Sequence, residues 1–128
     1  MSYHMSKIID MPFDAAVDHV TSALAGKGFG VLTTIDVRET LKKKLGVDFK
    51  PYKILGACNP HLAYRALQAE DKIGTMLPCN VVVTEIAPGK VEVSAVDPIE
   101  SMKAIENPAL GEVATTVRSL LADVIETL

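Results

Sequence analysis

The sequence predicts an α+β fold, a two-layer sandwich with a mainly antiparallel sheet of about five strands and helices on one face, in the order β-α-β-α-β-α-β-β-α. Three observations carry this expectation. β-branched runs alternate with helix-period segments along the chain. Residues 81–86 and 91–96 flank Ala87-Pro88-Gly89-Lys90, a hairpin with Pro and Gly where a type II turn needs them. The last segment carries Leu110, Val117 and Val124, interleaved with Ala114, Leu121 and Leu128, as one apolar stripe. With 128 residues, 13.7 kDa and no repeat or linker, residues 1–128 read as a single domain.

Each element has a local cause. Ser6-Lys7-Ile8-Ile9 reads as a short first strand, and Asp10-Met11-Pro12 opens a helix over about 13–26 with Phe13, Val17, Val20 and Leu24 on one face. Gly26 and Gly28 stop it. Residues 30–37 are rich in Val, Thr and Ile and read as a second strand. Asp36 with Glu39 three positions on resembles a helix cap for a short helix ending at Gly46. Tyr52–Cys58 forms a third strand, and Asn59-Pro60 is a cap plus first-turn proline for a helix over about 60–71. Asp97-Pro98 ends the hairpin, and Asn107-Pro108 repeats the cap device for the last helix. That helix either packs its stripe on its own sheet, the favoured alternative, or offers it as a dimer seam.

Composition excludes several classes. Apolar content is 48% and net charge is −3, so the chain is not disordered. Three Tyr, three Phe, no Trp and a sequence pI near 5.5 argue against a nucleic-acid platform. No run of about 18 apolar residues is present, and no basic leader precedes an apolar stretch, so the expectation is a cytoplasmic protein with no membrane partner. Two cysteines outside a C-x-x-C spacing are expected to be free thiols there. Between Asp36 and Lys53 six basic residues face three acidic ones, net +3 in a chain of net −3. A solvated helix face accounts for this better than an anion clamp, because Lys42, Lys43 and Lys44 point in different directions.

The residues that could carry chemistry gather at strand ends. If the hairpin turns without a bulge, Ala87 faces Lys90, Asn80 faces Asp97 and Cys79 faces Pro98. If the third strand is the antiparallel neighbour of the fourth, Cys58 arrives at the same edge, whereas a parallel crossover through residues 59–78 would separate the cysteines. Cys58 precedes a helix N-terminus, whose field favours a thiolate and a neutral His61. The candidate ligand-binding residues are therefore Cys58, Asn59, His61, Cys79, Asn80 and Asp97. For Asn59 a plain capping role competes, for Asp97 a strand-end turn, for His61 a solvent-facing position, and for both cysteines simple burial.

Three functions compete on that cluster. The favoured one is a non-catalytic, dimeric binding module with a small pocket at the strand ends. A second is a soft-metal protein holding zinc or cuprous ion, or a redox protein, with Cys58, His61 and Cys79 and with Met76 or Met102 as a further ligand. The third is a thiol-dependent enzyme with Cys58 as nucleophile and His61 as base. G-x-S-x-G, Walker and H-E-x-x-H motifs are missing, and Gly26-Lys27-Gly28-Phe29-Gly30 stands between helix and strand, the reverse of a dinucleotide fingerprint. No cofactor follows from the residues.

Several blocks carry a resemblance: Gly28-Phe29-Gly30-Val31-Leu32, Ile35-Asp36-Val37, Tyr52-Lys53-Ile54-Leu55-Gly56-Ala57-Cys58-Asn59-Pro60, Leu77-Pro78-Cys79-Asn80-Val81-Val82-Val83 and Asp97-Pro98. From about Ser6 to Leu128 the chain resembles the family called domain of unknown function 302. The resemblance implies a two-layer α/β domain with a mainly antiparallel sheet, in small bacterial and archaeal proteins that tend to form homodimers. It implies no activity.

Overall fold

The computed structural model of the chain describes residues 2–128. Strands β1 (His4–Asp10), β2 (Gly30–Asp36), β3 (Tyr52–Cys58), β4 (Cys79–Ala87) and β5 (Lys90–Val96) form one sheet in the order β1-β5-β4-β3-β2. Every neighbouring pair is antiparallel. The helices are α1 (Phe13–Ala25), α2 (Val37–Leu45), α3 (Pro60–Ala69), α4 (Pro98–Ser101) and α5 (Pro108–Thr127), with a 3-10 segment at Asp71–Met76.

Strand alternation builds the core. Ile9, Leu55, Ala57, Cys79, Val81, Val83, Val91, Val93 and Ala95 are buried, while their neighbours along each strand, except Gly56 and Thr84, are more exposed. Onto that apolar face α1 lays Ala16, Val20 and Leu24, and α5 lays Leu110, Val117, Leu121 and Val124. Each fully buried Val or Leu contributes about 1.5–3 kcal/mol relative to exposure, so these two helices account for much of the packing energy. The α5 stripe is thus covered by the chain's own sheet and core, which removes the seam alternative for that face.

The local signals act where the sequence placed them. Asp36 accepts a hydrogen bond from Glu39 N at 2.9 Å and Gly46 closes α2 at φ +66°. Gly89 turns the hairpin at φ +75°. α2 buries none of its residues, and its lysines Lys42 and Lys43 pair with Asp48 and Glu39 in solvent. Two features differ from expectation. Asp97-Pro98 opens the four-residue helix α4, too short to show a periodic pattern. The helix from Pro60 ends at Ala69, and the 3-10 segment follows it.

The hairpin register also differs. Ala87 does face Lys90, but an irregularity between Glu85 and Ala87 shifts the rest by one residue, so Val81 faces Ala95. Continued back, that register sets Asn80 against Val96 instead of Asp97, and Cys79 against Asp97 instead of Pro98. The inserted residue changes the count in one strand only.

Candidate functional site

A cavity of about 290 Å³ lies where the ends of β3 and β4 meet α3, α4 and α5. Two lines of register bring the thiols there. β3 is the antiparallel neighbour of β4, with Ala57 opposite Cys79, so Cys58 is one residue beyond the pair. Cys58, Asn59 and Cys79 all border the cavity, as do Leu62 and Ala66 of α3, Met102 after α4, and Val113, Ala114 and Val117 of α5.

Capping residues hold these walls. Asn59 Oδ1 accepts from Leu62 N at 3.3 Å, which starts α3 directly after β3 with Pro60 in its first turn. Asn107 caps α5 through Ala109 N, and its Nδ2 donates to Ala69 O at 2.7 Å, so one side chain ties the end of α3 to the start of α5. Asp97 accepts from Ile99 N at 2.9 Å and Glu100 N at 3.4 Å, and receives Arg118 Nε at 2.8 Å, which fastens α4 to α5. The connection into β4 is equally tight. Pro78 follows a cis peptide bond and folds over Gly56, where a Cβ would stand 2.7 Å from Pro78 Cγ and overlap Thr33 Oγ1.

Three expected site residues stand apart from the cavity. His61 is exposed, because Leu62 and Ala66 are the inward positions of α3 and a neighbouring residue points about 100° away. Asn80 follows Cys79 in an extended strand and so projects to the other face of the sheet, beside Tyr52, Val82, Glu92 and Ser94. Asp97 is 6% exposed, but its carboxylate is engaged with α4 and Arg118 and does not border the cavity; its neighbour Pro98 does. Of the two methionines, Met102 is buried in the wall and Met76 is exposed elsewhere.

Sequence reasoning missed the aliphatic lining. Leu62 and Ala66, or Ala63 and Leu67, are four apart on α3, and Val113 and Val117 four apart on α5; that spacing signals an inward face without saying whether it is filled. Leu32 was also missed. A register irregularity between Val31 and Thr33 turns it out of the ladder, and it borders the cavity while 69% exposed.

The electrostatics are those of a largely apolar site without charged side chains on its lining. Burial, reinforced by the neighbouring Cys58, pushes the Cys79 thiol up to about 11, so it is neutral and unreactive near pH 7. For Asp97 burial works against ionisation, but the Arg118 hydrogen bond, the two backbone N–H donors and the Arg118 charge outweigh it and hold the carboxyl below its ordinary value. No hydrogen bond joins Cys58 to His61. Among the described residues no group of three His, Cys, Asp or Glu side chains is arranged to hold a metal ion, and no helix is long and apolar enough to cross a membrane.

The family model described as "Domain of unknown function DUF302" matches residues 5–128. The crystal structure of the uncharacterized conserved protein DUF302 from Bacillus stearothermophilus superposes with a TM-score of 0.90 at 30% identity, covering 98% of each chain. A comparison with curated proteins returns no match. A family match over nearly the whole chain, together with the same five-stranded antiparallel architecture, means that the chain belongs to the DUF302 family.

Proposed function

We propose that this protein is a non-catalytic binding module for a small apolar ligand, held in the cavity at the ends of β3 and β4. The cavity itself carries the reading: about 290 Å³ bordered by aliphatic side chains, two thiols and a thioether, with no charged side chain on its lining. The thiol-enzyme alternative is weaker, since His61 is exposed and off the wall. Xenon tests the ligand reading directly, because it enters dry apolar cavities without any polar partner. Crystals of the reduced protein under xenon pressure should show the atom between Leu62, Cys79 and Met102; xenon found only elsewhere counts against the reading.

A soft-ion reading has one observation in its favour. With His61 outside, Met102 borders the same cavity as Cys58 and Cys79, a sulfur set that suits cuprous ion better than zinc. Uptake of one cuprous ion by reduced protein, lost in Cys79→Ser, would support it. The apolar ligand takes precedence because the space is much larger than an ion. The same proposal includes a cytoplasmic setting, in which both free thiols stay reduced, and a homodimer. With α5 covered, the proposed pairing surface is the sheet face away from the helices, which carries Ile54, Val82 and Ser94. Val82→Lys should convert a dimer to a monomer in sedimentation; a chain that is monomeric without the substitution overturns the dimer.

A further inference from the structure

We infer that the occupant of the cavity is a neutral aromatic molecule of about ten carbon atoms, the size of two fused rings. This rests on the ligand-binding reading and names its chemical class. Size comes first: a dry cavity of about 150 Å³ accommodates one benzene ring, and this one is about 290 Å³.

Neutrality follows from the polar groups. No Lys, Arg, His, Asp or Glu borders the cavity. Among the described residues no fully buried side-chain nitrogen or oxygen lacks a hydrogen-bond partner, and the one polar amide on the lining, Asn59, is uncharged and caps α3 through its Oδ1. Asp97 Oδ2 accepts from Arg118 Nε at 2.8 Å, and neither side chain borders the cavity. An ionised ligand would lose its hydration and meet no side chain of opposite charge in return.

Aromaticity follows from the sulfurs. Both cysteines of the chain and Met102 border the cavity, whereas its lining includes one aromatic ring, that of Phe29. Sulfur makes favourable contacts with aromatic rings that a saturated hydrocarbon of the same size does not receive. The buried Cys79 thiol keeps its proton near pH 7, so a ring in the cavity would meet a neutral thiol. A rigid two-ring molecule also gives up less conformational freedom on entry than a flexible ten-carbon chain.

Calorimetry on the reduced protein with naphthalene, its saturated counterpart decalin, and 1-naphthoate separates the possibilities. Naphthalene should bind about tenfold more tightly than decalin, equivalent to about 1.4 kcal/mol, and 1-naphthoate should bind more weakly than naphthalene. Cys79→Val should erase the preference over decalin while both still bind. Ala114→Leu, or Ala63→Leu if the first variant does not fold, should fill the space and abolish binding of both. Equal affinity for naphthalene and decalin overturns the aromatic class and leaves the apolar pocket standing. Naphthoate binding as tightly as naphthalene overturns neutrality. If neither hydrocarbon binds a folded protein, the pocket reading falls with the inference.

Discussion

Asp97 is the residue whose role changed most between sequence and structure, and its removal is the most informative perturbation of the fold around the cavity. The residue is 6% exposed, and its carboxylate serves two functions at once, capping α4 and receiving Arg118 Nε. Loss of a cap costs about 1 kcal/mol. The ion pair lies between the surface and interior limits; the Arg118 side chain is 44% exposed and can regain water, so about 1 kcal/mol is a fair share. Asp97→Ala should therefore destabilise the chain by about 2 kcal/mol, a fall of about 6–8 °C in Tm for a domain of this length. Asp97→Asn keeps an acceptor for Ile99 N and should lose only about half as much.

Thermal melting across pH checks the assignment. The native carboxyl is held below its ordinary value, so its stabilisation is complete above about pH 4 and is lost as pH falls through the lower native value. Wild type and Asp97→Asn should converge toward acid pH and separate above it. In a double-mutant cycle Arg118→Ala should remove little further stability from Asp97→Asn. A fall under 2 °C for Asp97→Ala, or an Asn variant as damaged as the Ala variant, would refute the division into cap and ion pair.

Three further outcomes are expected. Gly56→Ala should cost about 1–3 kcal/mol in urea denaturation, because a Cβ there meets Pro78 and Thr33, and an unchanged midpoint would contradict that packing. Raising the pH should destabilise the fold through Cys79: the raised native thiol value stabilises fully below the unfolded value near 9 and is lost as pH approaches about 11, a change of about 2–3 kcal/mol. Cys79→Ala should flatten that part of the wild-type profile, read as the difference between the two melting curves. With a thiol reagent at pH 8, Cys58 should react before Cys79, since Cys58 is half-buried and Cys79 is 7% exposed. Faster labelling of Cys79 in mass spectrometry would mean that the cavity wall opens readily.

Much of the architecture was legible because its signals act over three or four residues. Asn59-Pro60 and Asn107-Pro108 declare helix starts through hydrogen bonds to backbone N–H groups two or three positions away. Pro88-Gly89 declares a turn because Gly89 must take a positive φ. The α5 stripe declares a buried face by period alone. The site was legible only in part. Cys58, Asn59 and Cys79 were placed by strand order and do meet at the cavity, whereas Asn80 and His61 each sit one residue from an inward position. In extended or helical chain a step of one residue turns a side chain to another face, and sequence adjacency does not show which.

What the sequence determined by itself, then, is the set of elements apart from α4 and the 3-10 segment, the aliphatic composition of a small domain and the position of each cysteine block at a strand end. Tertiary structure decided the rest. A connection of 59–78 is long enough for a parallel or an antiparallel partner, and only burial of the shared apolar face selects β3 beside β4. The irregularities at Glu85 and Leu32, the short helix α4 and the space between α3 and α5 arise from packing among residues up to dozens of positions apart. Local hydrogen bonds and period set an element; long-range exclusion of water sets its register, its neighbours and the shape of the cavity they enclose.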